Sequence, residues 1–160
     1  MEDEVSLDPI DFLKELYARD LPYLLVGRQA LVLLGAPLLS ADYDFYFSPE
    51  PEHLGELLGL ARERELEIPR EDLREKPFFS LLSDNLKLDF FRCRAYTAKD
   101  GDAFTFDELF ARKKIIPAGD FAIYVPSIRD LIRSKRVRNS PKDREDIKYL
   151  QILDEREGSD

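Results

Sequence analysis

The chain has 160 residues, 44% hydrophobic and 36% charged, with a net charge of −9. That length closes one core rather than two, and a net negative charge argues against general coating of DNA. No apolar run approaches the ~20 residues of a membrane helix, and the acidic opening MEDEVSLDPIDF predicts no secretory leader.

The first helix is signalled by Asp8 as N-cap, Pro9 in the first turn and Asp11 three residues after the cap, with Ile10, Leu13, Leu16 and Tyr17 expected on its buried face. PYLLVG predicts a short buried strand ending at Gly27. RQALVLL predicts a compact helix closed by Gly35, which Pro37 prevents from continuing. DYDFYF (42–47) has the alternation of a second strand. Pro49 and Pro51 open a third helix, PEHLGELLGLARERE. FFSLL and LKLDFF flank the turn residues SDN and predict a hairpin. FDELFARKK predicts a helix. KKIIP and FAIYVP flank AGD as a second hairpin. SIRDLIRSK predicts a helix from Ser127, and in the last helix Ser140 caps, Pro141 is first and Ile147, Leu150 and Leu153 form the apolar face. The expected architecture is α/β (α+β): a mixed sheet backed by helices, in one unit over 1–160, with a core at 10–126 and C-terminal helices at 127–157. No segment is long enough to be a linker between domains.

Strands disfavour aspartate, yet Asp42 and Asp44 open the second strand. Alternation puts both on one face, roughly 6–7 Å apart at the backbone, close enough to converge on a divalent cation. A third acid, Asp89, stands inside LKLDFF. If the two strands are neighbours, three carboxylates face one point. Two carboxylates ~5 Å apart repel by about 3 kcal/mol at an effective dielectric of ~20, so a shared cation is what would let all of them stay ionised. One cysteine, Cys93, and one histidine, His53, leave no ligand set for zinc, so the metal implied is an oxygen-bound ion: magnesium, manganese or calcium. Calcium as a purely structural ion lacks its dense oxygen-rich loop here. The lone cysteine also excludes an internal disulfide and fits a reducing cytoplasm. Gly27, at a strand-to-helix turn, is placed to present backbone N–H groups to a phosphate. The basic segment 129–148 holds eight Lys or Arg against four acids, which suits a polyphosphate whose metal the acids hold. His53 reads as an exposed helix-start residue, and Tyr46 and Phe91 share the faces of the acids.

YLLVGRQALVLLGAPLLSADYDFYF resembles the entry of the nucleotidyltransferase superfamily related to DNA polymerase beta: an apolar strand, a glycine turn, a short helix, then D-x-D in a strand, with a later strand acid matched by Asp89. VPSIRDLIRSKRVRNSPKDREDIKYLQIL is similar to the end of small bacterial members of abortive-infection and toxin–antitoxin type. The resemblance spans roughly residues 10–155. It implies transfer of a nucleoside monophosphate from an NTP to an RNA, protein or small-molecule hydroxyl. Asp42, Asp44 and Asp89 would be the catalytic and metal-binding (Mg2+ or Mn2+) residues, and Gly27, Arg28, Ser40, Lys135 and Lys142 the nucleotide-binding ones. A partner protein encoded nearby is also implied. Asp143 and Asp146 read as capping and orienting partners for the basic side chains. Arg28 departs from the family's usual Gly or Ser; it would either grip a phosphate through paired hydrogen bonds or crowd the triphosphate. The alternative reading is a non-catalytic module of the same fold that binds a nucleotide or a partner protein.

Overall fold

A computed structural model describes residues 7–35 and 43–158. Its elements in chain order are α1 (Pro9–Ala18), β1 (Tyr23–Val26), α2 (Gly27–Leu33), β2 (Tyr43–Phe47), α3 (Pro51–Glu63), β3 (Phe78–Leu82), β4 (Lys87–Phe91), β5 (Ala95–Thr97), β6 (Ala103–Thr105), α4 (Phe106–Ala111), β7 (Lys114–Ala118), β8 (Phe121–Val125), α5 (Ile128–Arg138) and α6 (Pro141–Gly158). Both expected hairpins form, and the expected mixed sheet backed by helices is present.

The central sheet has the order β1-β2-β4-β3. β1 and β2 are antiparallel, β2 and β4 parallel, and β3 and β4 antiparallel. Alternation then sorts the side chains. Phe45 and Phe47 of β2, Leu88 and Phe90 of β4, and Phe79 and Leu81 of β3 are buried. Phe45, Phe79 and Phe90 stack at 4.9 and 5.5 Å between ring centroids. Phe12 of α1 closes on this stack from above, at 6.3 Å from Phe45 and 6.4 Å from Phe90. Leu54, Leu57, Leu60 and Ala61 of α3 join the same core. The opposite face carries Asp44, Asp89 and Ser80.

The first helix is rotated from the expected setting. Ile10 and Tyr17 are 49% and 39% exposed, while Phe12, Leu13 and Leu16 are buried. The large ring of Phe12 fills the sheet stack, so it sets the helix rotation, and Tyr17 lies at the rim against Phe121 and Tyr124. Its N-terminus is as expected, with Asp8 Oδ1 accepting from the Ile10 N–H. β5 and β6 were not expected. Three residues per strand carry too few alternations to stand out from a loop. They matter because Tyr96 of β5 covers Tyr46 of β2.

Helix α5 is fastened in place by charge. Asp130, buried on α5, accepts from Arg112 at 2.9 and 3.0 Å and from Arg133 at 3.1 Å. Arg133 in turn donates to Asp102 at 2.8 Å, tying the helix to the β5–β6 hairpin. Burial works to raise the Asp130 pKa, but the hydrogen bonds from both guanidinium groups outweigh it and hold the carboxyl below its ordinary value. The rest of α5 is thereby aimed at the open face of the sheet.

The Phe90 ring contacts Phe12, Phe45, Phe47 and Phe79. Replacing it by alanine is expected to cost about 3–5 kcal/mol, read as a shift in the urea midpoint at unchanged slope.

Candidate active site

In the parallel pairing of β2 with β4, Asp44 is the register partner of Asp89. Register partners on parallel strands point to the same face, ~4.8 Å apart at the backbone. Two residues 45 positions apart in sequence therefore present their carboxylates side by side. Ser80 is the register partner of Asp89 on the other side, and its hydroxyl donates to Asp89 Oδ1 at 2.5 Å. Lys87 Nζ lies 3.9 Å from the same oxygen. One oxygen of Asp89 is thus tied to both Ser80 and Lys87.

Asp44 meets the strand-to-helix turn. Gly27 has φ +69°, and a Cβ built there would stand 2.6 Å from Asp44 Oδ2. A side chain is excluded both by backbone conformation and by the carboxylate. The glycine that opens α2 thus lies directly against the acid that the second strand delivers.

One pocket gathers Gly27, Arg28 and Asp44 with Lys135, Arg138, Lys142, Asp143 and Asp146. Of the sequence-predicted nucleotide residues, Gly27, Arg28, Lys135 and Lys142 are brought together here. Ser40 and Asp42 lie outside the described residues. Asp143 and Asp146 are buried at 2% and 0% exposure, and they organise the cations. Lys135 Nζ is 2.9 Å from Asp146 Oδ2 and 3.9 Å from Asp143 Oδ1. Arg138 Nε is 3.0 Å from Asp143 Oδ2. Ser140 and Asp143 cap reciprocally: the Asp143 N–H donates to Ser140 Oγ, and the Ser140 N–H and hydroxyl donate to Asp143 Oδ2. Burial works to raise the Asp143 pKa, but the hydrogen bonds from Arg138 and Ser140 outweigh it and bring the carboxyl to about 2. Asp143 is ionised at any working pH, so it restrains Arg138 as a fixed charge.

Arg28 crosses the pocket to α6, where its Nη2 is 3.2 Å from Asp146 Oδ1. The contact is an ion pair without hydrogen-bond alignment: Arg28 Nε and Asp146 Oδ1 are both buried without a hydrogen-bond partner. The guanidinium lies against Asp146 of α6. Its large side chain is accommodated because a buried acid receives it.

Sequence reasoning missed Ser80 and Arg138. Ser80 was readable in principle: once Ser83–Leu86 is taken as the hairpin turn, counting outward pairs Ser80 with Asp89. Arg138 lies three residues after Lys135 on a helix, hence on the same side.

Among the described residues no three metal-ligating side chains gather. The described donors are Asp44 and Asp89, two hard carboxylates in register on one face, and this chemistry fits magnesium or manganese.

No protein-family pattern matches the chain, and no curated protein matches it in sequence. Solved structures do. TM1012 from Thermotoga maritima, assigned as a nucleotidyltransferase, aligns with a TM-score of 0.58 at 17% identity, over 81% of this chain and 84% of its own. The lincosamide antibiotic adenylyltransferase LnuA, solved with lincomycin bound, aligns with a TM-score of 0.61 at 16% identity, over 94% and 99%. The chain has the nucleotidyltransferase fold. The pocket at Gly27 and Asp44 lies between the glycine turn after β1 and the two C-terminal helices; Asp89 is the register partner of Asp44 and is not among its lining residues.

Two outcomes follow from the geometry. Gly27→Ala is expected to lose about 1–3 kcal/mol of stability, because the new methyl must displace Asp44 while the backbone stays left-handed; thermal unfolding measures it. Asp143 has a folded pKa of about 2 against an ordinary 3.8, so its contribution is complete above the ordinary value and lost as pH falls toward the folded one. The stability gap between native protein and Asp143→Asn, about 2 kcal/mol at neutral pH, should close between those two values in urea titrations.

Proposed function

We propose that the chain is a metal-dependent nucleotidyltransferase that moves a nucleoside monophosphate from an NTP to an acceptor hydroxyl. The observation that carries this reading is the in-register pair Asp44 and Asp89 beside a pocket containing four cationic side chains. A divalent ion, when bound, would supply charge neutralisation at the reacting phosphate; Asp44 and Asp89 would hold it, with Asp42 added from the sequence.

In this reading the acceptor oxygen attacks the α-phosphorus, and a new phosphorus–oxygen bond forms. The bond from that phosphorus to the bridging oxygen of the β-phosphate breaks, and pyrophosphate leaves with the electron pair. The hydroxyl proton passes to Asp89, one oxygen of which accepts from Ser80. Lys135, Arg138 and Lys142 would carry the charge that accumulates on the departing phosphates, and Gly27 would let the backbone approach them. Positioning and electrostatics are what this reaction type requires of a protein. Asp143 and Asp146 act one step back, orienting Arg138 and Lys135. Ser40 remains a candidate phosphate contact from the sequence.

The pairing of Arg28 with Asp146 supports a second reading, a non-catalytic module that binds a nucleotide or a partner protein. An arginine already held by a buried acid is a fixed wall of the pocket as much as a phosphate ligand. Association with a neighbouring antitoxin or toxin, and a cytoplasmic location, rest on the sequence resemblance and the single cysteine.

Incubating the protein with labelled ATP, magnesium and pools of RNA, protein and small-molecule alcohols tests the first reading. Transfer is expected, with a loss on the order of 10³-fold in Asp44→Asn and in Asp89→Asn. Equal transfer by either variant would overturn it. Calorimetric binding of magnesium-ATP without any turnover would favour the second reading.

A further inference from the structure

The open face of the sheet is divided into two parts. Over β2 it is covered: Tyr46 stacks on Tyr96 at 4.5 Å, interacts with Ser134 of α5 and is 8% exposed. Among the described residues, β3 is less covered on this face, and the side chain of Asp89 of β4 is 20% exposed. Phe78 is 43% and Leu82 36% exposed, and Phe91 is half-buried. The register sets Phe78 beside Phe91, Ser80 beside Asp89 and Leu82 beside Lys87. The result is one strip: two aromatic rings in contact, 4.8 Å between centroids, then the Ser80–Asp89 pair, then Leu82. A strand at the margin of a sheet ordinarily turns polar residues to water, and this one turns a phenylalanine and a leucine. Among the described residues the other exposed apolar side chains are Ile10 and Tyr17 of α1, Leu33 of α2, Ile115 of β7 and Ile152 of α6.

Charge selects what such a strip would take. Arg28, Lys135, Arg138 and Lys142 belong to the pocket with Gly27 and Asp44. Beyond Phe78, Arg74 pairs with Asp72, Lys76 with Glu71 and Arg94 with Glu50. Arg92 donates to the carbonyls of Ser48, Leu73 and Pro49. Lys87 lies next to Asp89. Among the described residues, the strip has no surplus of positive charge with which to bind a polyanion.

We propose that Phe78, Phe91 and Leu82, flanking Asp89, form the acceptor subsite. It takes an uncharged or cationic small molecule with an apolar ring or alkyl face next to its hydroxyl, in preference to RNA. The inference rests on the transfer reading for the role of Asp89. Phe91 and Asp89 are two residues apart on one face, ~7 Å along the strand. A single ring lying on Phe78 and Phe91 would thus bring a substituent hydroxyl to the carboxylate. Asp44 and the cationic pocket lie on the other side of Asp89, so nucleotide and acceptor approach it from opposite directions.

Saturation-transfer NMR on the full chain with magnesium tests this, using phenyl glucoside as the neutral probe and an oligouridylate as the polyanion. Saturation is expected on the phenyl protons of the glucoside, with affinity about tenfold weaker in the double variant Phe78→Ala, Leu82→Ser. Magnesium-ATP affinity should be unchanged in that variant, which also verifies its fold. Tighter binding of the oligouridylate, or equal binding of the glucoside by native protein and double variant, would overturn the proposal. Glucoside binding that depends on Phe78 and Leu82, with no magnesium-ATP binding by the native chain, would retain the strip as a ligand site and remove the transfer reading.

Discussion

The parallel pairing of β2 with β4 is the constraint on which the rest of the molecule depends. A parallel register fixes not only which residues are neighbours but which faces they share, and here it sets Asp44 against Asp89. A slip of one residue would turn one carboxylate into the aromatic core and bring a phenylalanine out to water. That slip is opposed by the stack of Phe45, Phe79 and Phe90 beneath the sheet, so the core holds the two acids together against their repulsion. Burial of hydrocarbon on one face stabilises an arrangement that is electrostatically unfavourable on the other.

Around that pair the structure distributes charge in a definite order. Ser80 orients one carboxylate, while Gly27 yields space to the other. The buried acids Asp143 and Asp146 fix the cations of α5 and receive Arg28 from α2. A buried carboxylate is costly unless it is paired and hydrogen-bonded, and both of these are paired. Asp130 does the same at the other end of α5, where it binds Arg112 and Arg133. The helix is held at both ends by buried acids, and the pocket takes its shape from them.

Much of the site could be read from local chemistry. Asp8, Ser127 and Ser140 announce helix starts because a side-chain oxygen before a helix satisfies a free N–H, and all three do so. The D-x-D entry and the acid inside LKLDFF stood out because strands disfavour aspartate. The strands Ala95–Thr97 and Ala103–Thr105 were not legible, since three residues carry almost no periodic signal. Nor was the outward rotation of Ile10, because helical spacing fixes which residues share a stripe but not which stripe the sheet receives.

The sequence by itself determined the longer elements, their caps, the glycine turn and the acids on strands, since each depends on neighbours within one or two turns of the chain. Tertiary structure alone decided that Asp44 and Asp89 are adjacent, that Arg28 lies against Asp146 and that Phe78 is left facing water. Those facts are set by strand order and helix packing, which join residues tens of positions apart.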